Sequence, residues 1–372
     1  MSTKLKIEIP RHIQQLKPYV AGKTIAEVKD RYKPLQLSKL ASNENRLGFS
    51  PLVRGAVEEA MQSIQDYPDP VASKLRTAIA KRNDVKESEV MIAAGSESII
   101  SILCRTFLSK KDSTITADAT FVGFFVQVGV VGAKIKKIPV TDDYRYDVDG
   151  ILSSIDDETK MVYIANPNNP TGTYLDKDSF AKLINIIPDD VLIIADEAYY
   201  EFAKEVKDYP KAMDYRKNNM VILRTFSKAY GLAGFRIGYC IADEEIITQM
   251  MKIKLTFEPT ALAQAAALAA YSDEEFLDKS IEVVHEGRDE LYTFFDEHQV
   301  AYARSISNSV MMILDDEQSA INFTQAMLEE GVILRRINAF GLPNCVRITI
   351  GTEKEMKHFR ESFLKVSAEI SV

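Results

Sequence analysis

"VLIIADEAYY" (residues 191–200) opens on five apolar residues in a row and closes on two acids and two tyrosines. A strand with one wet face alternates apolar with polar residues. This run does not alternate, so both of its faces are buried, and it is too short for an ordinary core helix. Asp196 stands where the apolar run stops. A carboxylate there is either a helix cap or a group held for chemistry.

The same texture recurs on both sides of this stretch. "VMIAAG" (90–95), "STITA" (113–117), "MVYIA" (161–165) and "MVILRTFSK" (220–228) are short apolar runs separated by helical patterns such as "SESIISILCRTFLSK" and "FVGFFVQVGVVG". Runs of this kind build a mostly parallel sheet buried between helix layers, an α/β fold. "FRIGYCIA" (235–242) follows its predecessor too closely for a helical crossover and is expected to be an antiparallel neighbour. From about residue 273 the pattern changes to charged amphipathic helices, then "SVMMIL", "VILRRI" and "CVRITIG", which read as a smaller α+β domain. The expected division is an N-terminal arm over 1–35, a large domain over 36–265 and a small domain over 266–372.

Composition narrows the function. The chain has 372 residues, 46% hydrophobic and 27% charged, with net charge −8, which disfavours a nucleic-acid footprint. No run of eighteen apolar residues occurs, and the N-terminus lacks the apolar core of a signal peptide. The three cysteines, Cys104, Cys240 and Cys345, are far apart and read as reduced core residues of a cytoplasmic protein. The four histidines show no metal-ligand spacing, so no metal is expected. "RYDVDG" (145–150) has Arg145 at the first ligand position of a calcium loop and reads as an acidic turn. "GKT" (22–24) has Lys17 where a phosphate loop needs glycine.

Polar residues cluster just after the apolar runs, at the strand ends where open α/β sheets bind ligands. Gly95-Ser96-Glu97 begins a helix whose free N–H groups suit a phosphate. "NPNNPTG" (166–172) is a stiff turn presenting amides, Asp196 ends one strand, and Lys228, flanked by Thr225 and Ser227, ends another. Arg236 follows. A desolvated lysine has a depressed pKa and can form a Schiff base with an aldehyde. An aldehyde cofactor with a phosphate arm needs a helix N-terminus, hydroxyls and an arginine at one end, and a carboxylate for its ring nitrogen at the other. Pyridoxal 5'-phosphate has that anatomy.

"SKAYGLAGFRIGY", "NPNNPTG" and "DEAYYEF" together resemble the fold-type I pyridoxal-phosphate enzymes of aminotransferase class I and II. The likeness runs from "LASNENRLG" (40–48) to "CVRITIGT" (345–352), and in "DYPDP" (66–70) and "GVILR…GLPNCVRITIG" the pattern is most similar to the histidinol-phosphate aminotransferase family. That resemblance implies an aspartate-aminotransferase-like fold and a transaminase of histidine biosynthesis, working between histidinol phosphate (imidazole acetol phosphate) and 2-oxoglutarate/glutamate. It implies Lys228 as the Schiff-base lysine and proton carrier, Asp196 as partner of the pyridinium, and Asn169 and Tyr199 at the phenolic oxygen. Ser96, Glu97, Thr225, Ser227 and Arg236 would hold the phosphate. Phe121 would stack on the ring, in a place where the family pattern often has tyrosine. Arg347 would bind the substrate anion, with Arg335, Asn43 and Tyr19 beside it. A homodimer follows from the same resemblance, with Tyr67 reaching the neighbouring subunit's phosphate. An aromatic amino-acid aminotransferase, or a lyase of the threonine-phosphate decarboxylase type, stays open, because fold and cofactor motifs do not separate these.

Overall fold

The structure, a computed structural model, describes residues 7–16 and 23–369, so the expectation for Tyr19 lies outside the described residues. Seven strands form the large sheet: β1 (Val90–Ala93), β2 (Ser113–Ala117), β3 (Lys134–Ile138), β4 (Thr159–Ala165), β5 (Leu192–Asp196), β6 (Met220–Thr225) and β7 (Gly238–Ile241). Their order is β1-β7-β6-β5-β4-β2-β3. Only β7 runs against its neighbours, pairing antiparallel with both β6 and β1; β2 to β6 are mutually parallel. The short connection before β7 admits no crossover, which is why that strand reverses.

Period-two alternation sorts the strand residues between two helix layers. Tyr163, Ala165, Ile194 and Leu223 face the helices Ser96–Phe107 and Val122–Val131, through Ile99, Leu103, Phe124 and Val128. Val162, Ile164, Ile193 and Ile222 face the other way, onto Phe180, Leu183 and Ile184 of the helix Lys177–Ile186. Both faces are apolar because both are covered.

A second, four-stranded antiparallel sheet contains β8 (Tyr302–Ala303), β9 (Ser309–Ile313), β10 (Arg335–Arg336) and β11 (Cys345–Thr349), in the order β10-β11-β9-β8. Phe295, Phe323, Phe359 and Phe363, from three helices, cover Val310, Met312, Val346 and Ile348. The apolar run "VILRRI" is not one strand. Val332–Ile333 pairs in parallel with Ser38–Lys39, and the chain changes partner at Leu334 before Arg335–Arg336 joins β11. Segment 38–43 is thereby tied to the smaller sheet; Leu40 O accepts from Thr349 N at 2.9 Å. "RYDVDG" carries a helix cap, with Asp147 Oδ1 accepting from Gly150 N at 2.9 Å. The three cysteines are buried and free. Among the described residues, no helix is long and apolar enough to cross a membrane.

Candidate active site

Strand register aligns the carboxyl ends of the large sheet. Ala165 is level with Asp196, Asp196 with Leu223, and both Thr225 and Ala93 with Gly238. The turns that leave these ends surround a cavity of about 210 Å³, lined by Ser96, Glu97, Phe121, Asn169, Asp196, Tyr199, Thr225, Ser227, Lys228 and Arg236, together with Tyr163, Ala165, Pro167 and Ala198. Ten residues singled out from the sequence thus meet in one place. Lys228 stands three residues beyond the end of β6, in the turn rather than on the strand.

Close backbone approach makes this geometry. Gly95 has φ +89°, and a Cβ there would lie 2.9 Å from Arg236 Nη2; glycine lets the guanidinium lie flat against the start of the helix Ser96–Phe107. Arg236 itself takes φ 54°, a left-handed conformation costing a non-glycine residue about 1–2 kcal/mol. Its Nη1 donates to Ala233 O at 3.0 Å and to Ser227 Oγ at 3.4 Å. Thr225 Oγ1 accepts from Ser227 N at 3.1 Å, fixing the turn that carries both hydroxyls.

Among the titratable groups of the cavity, Asp196 and Lys228 are displaced toward each other. Asp196 is 4% exposed, and burial pushes its carboxyl up to about 6, against the stabilising bonds from Tyr163 Oη (2.6 Å) and Ala198 N (3.1 Å). Burial also pushes the Lys228 amine down to about 8, helped by the nearby cations Arg347 and Arg236. Lys228 keeps some accessible surface because the cavity admits water, while dense protein around it penalises the charge. Its Nζ lies 3.4 Å from Ser42 O and 5.8 Å from the Tyr199 ring centre.

Arg224 and Glu197 form a buried pair, 5% and 1% exposed, with Nε and Nη2 both on Glu197 Oε2 at 3.0 and 2.8 Å. Glu197 Oε1 accepts from Ala212 N at 2.8 Å and Tyr209 Oη at 3.2 Å, so the carboxylate is fully bonded.

The smaller sheet contributes Arg347, 5% exposed on β11. It donates to Asn169 Oδ1 at 2.6 Å and to Ala41 O at 2.8 Å. Arg335 lies directly across the sheet from Arg347 on β10. Asn43, like Arg347 and Arg335, is not among the residues that line the cavity. It is buried behind Tyr199 and is not on the cavity wall, because Tyr199 Oη, Ser309 Oγ and Thr349 Oγ1 take up its amide. Tyr67 is also off the wall of its own chain's cavity; it is 80% exposed and stacked on Phe257, with centroids 4.2 Å apart and planes at 16°. Tyr163 was not singled out from the sequence. An aromatic inside an apolar strand reads as core, and only the register that puts its hydroxyl on Asp196 marks it out.

The residues present fit pyridoxal phosphate. One end of the cavity gathers a helix N-terminus, two hydroxyls and a guanidinium, suited to a phosphate. The same cavity holds Asp196, a carboxylate for a ring nitrogen, and the Lys228 amine, lowered to about 8. Among the described residues no group of histidine, cysteine and acidic side chains could hold a metal.

A family model described as aminotransferase class I and II matches residues 36–363. The histidinol-phosphate aminotransferase of Bacillus velezensis is 38% identical to this chain over 366 residues, covering 98% of this chain and 100% of that one. That of Bacillus subtilis (strain 168) is 39% identical, with the same coverage. The crystal structure of histidinol-phosphate aminotransferase from Sinorhizobium meliloti in complex with pyridoxal-5'-phosphate is similar in fold, with a TM-score of 0.90 and 25% identity over 99% of both chains.

Proposed function

The chain belongs to the class I and II aminotransferases, and we propose that within that family it moves an amino group between histidinol phosphate (imidazole acetol phosphate) and 2-oxoglutarate/glutamate in histidine biosynthesis. It is a pyridoxal-phosphate-dependent transaminase. When bound, the cofactor supplies an aldehyde that condenses with amines and a ring that takes up the electron pair released at the substrate's Cα.

Each residue then has a defined part. Lys228, whose amine is lowered to about 8, would hold the cofactor by its aldehyde and would act as the base at the substrate's Cα. Asp196 keeps the ring nitrogen protonated. Tyr163, donating to the same carboxylate, holds it in place. Asn169 and Tyr199 would bond the ring's phenolic oxygen, and Phe121 would pack on the ring. Ser96, Glu97 through its N–H, Thr225, Ser227 and Arg236 anchor the phosphate. Arg347 binds the anion beside the reacting carbon of donor and acceptor in turn, with Arg335 as a second cation for an anionic tail. Tyr67 crosses a homodimer interface to the partner's cofactor. The division into an arm to about residue 35, a large domain to about 265 and a small domain after it belongs to the same reading, as does a cytoplasmic setting.

The observation that carries this reading is the meeting of Lys228, Asp196 and Arg236 at aligned strand ends, with Arg347 bonded to Asn169 at the rim. The test is a single-turnover mix of cofactor-loaded protein with histidinol phosphate and, in parallel, with phenylalanine. Conversion by histidinol phosphate, followed by glutamate formation from 2-oxoglutarate in reverse, is the expected result. Equal conversion by phenylalanine would assign an aromatic aminotransferase, and release of carbon dioxide or ammonia a lyase.

A further inference from the structure

Tyr199 is buried, and its hydroxyl has one protein partner among the described residues, the Asn43 side-chain amide at 2.9 Å. Whether the phenol accepts or donates there depends on which way the amide faces, and a contact on the far side of Asn43 decides that. Asn43 N donates to Thr349 Oγ1 at 2.9 Å, so the threonine's own proton needs an acceptor, and Asn43 Oδ1 lies 3.0 Å away. With Oδ1 turned to Thr349, Nδ2 faces Tyr199 Oη and, at 3.2 Å, Ser309 Oγ. Ser309 and Thr349 are register partners on β9 and β11. One cross-strand pair of hydroxyls therefore grips both ends of the amide.

We propose that Asn43, locked in one orientation by Thr349 and Ser309, is a positioning residue that forces the Tyr199 hydroxyl to accept from it and so to aim its own proton into the cavity. This rests on the reading that Tyr199 acts on the bound cofactor. The amide spends one N–H on the phenol oxygen, leaving the phenol proton with the cavity as its outlet. A reversed amide would present Oδ1 instead, draw that proton backwards and leave the phenolic oxygen of the cofactor one donor short. The smaller sheet thus sets the polarity of a group on the larger one, across 156 residues from Asn43 to Tyr199 and 306 from Asn43 to Thr349.

The test is the pH midpoint at which the visible absorbance of bound pyridoxal phosphate changes in the holoenzyme. Tyr199→Phe removes the donor to the charged form and is expected to raise that midpoint by about one pH unit. Thr349→Val is expected to raise it in the same direction, Thr349→Ser to restore it, and Thr349→Val in the Tyr199→Phe background to add nothing. A shift with Tyr199→Phe and none with Thr349→Val, or fully additive shifts, would overturn the positioning role. No shift with Tyr199→Phe itself would instead overturn the assignment of Tyr199 to the cofactor, and the inference with it. Should Thr349→Val fail to fold, Asn43→Asp carries the same question. Its carboxylate can only accept, so the midpoint should rise as in Tyr199→Phe, and an unmoved midpoint counts against the proposal.

Discussion

Lys228 and Arg347 show how a single side chain takes its chemistry from its surroundings. An amine lowered from 10.5 to about 8 by burial is charged below that pH and a free nucleophile above it. The rate at which the cofactor-free protein takes up pyridoxal phosphate should therefore climb about tenfold per pH unit up to about 8 and level off there. Stopped-flow absorbance across that range checks it, and a plateau deferred beyond 10 would mean the amine is unperturbed. The same displacement bears on stability. The folded-state value lies below the unfolded one, so the charge is penalised at neutral pH, and the penalty fades as pH rises from about 8 to 10.5. Lys228→Met should raise the Tm of the cofactor-free protein near neutrality and by less in alkali. Arg347 is a different case, because its two arms hold Asn169 and Ala41 O in a fixed fork. Arg347→Ala removes a charge-assisted interaction worth about 1.5–3 kcal/mol, so kcat/KM should fall roughly 10–150-fold. Arg347→Lys should recover little of that, since an ammonium cannot make the fork.

At the scale of elements, the buried Arg224–Glu197 pair joins the end of β6 to the turn after β5. Glu197→Gln strands a guanidinium in the core and should cost about 3–5 kcal/mol by urea unfolding, whereas Arg224→Met combined with Glu197→Gln should cost less than Glu197→Gln alone. What the sequence discloses about such elements follows from how each is covered. Strands buried on both sides, such as β5 and β6, declare themselves as unbroken apolar runs, and their ends point to Asp196 and to the turn of Lys228. β3 (Lys134–Ile138) is hidden in "KIKKI" because it is an edge strand whose two isoleucines pack on opposite helix layers, each sharing its face with lysines. The parallel pair Ser38–Lys39 with Val332–Ile333 is two residues long and has no periodicity to detect. Asn43 carries no local signal for its bond to Tyr199, since only long-range folding creates it. Spacing along the chain names the groups at strand ends, while contacts between the two sheets appear only in three dimensions.

At the scale of the whole molecule, the open question is where Tyr67 works. It is stacked on Phe257, both side chains more than 40% accessible, as are Leu255, Met61 and Ile64, close to them in sequence, and its own chain's cavity does not include it. Exposed apolar side chains of this kind are what a symmetric partner would cover. If Tyr67 serves the partner, defects at Tyr67 and at Lys228 belong to different sites of a dimer. Tyr67→Ala and Lys228→Ala homodimers should each be severely impaired, the second completely. Unfolded together in equal amounts and refolded, they should give mixed dimers in which one site draws its lysine from one subunit and its tyrosine from the other. Random pairing makes half the dimers mixed, with one intact site in two, so activity should return to about a quarter of the wild-type level. If Tyr67 acted within its own chain, every site in the mixture would still carry one lesion and no activity would return. Recovery near a quarter, lost again when the two lesions are placed in the same chain, would fix both the dimer and the direction in which Tyr67 reaches.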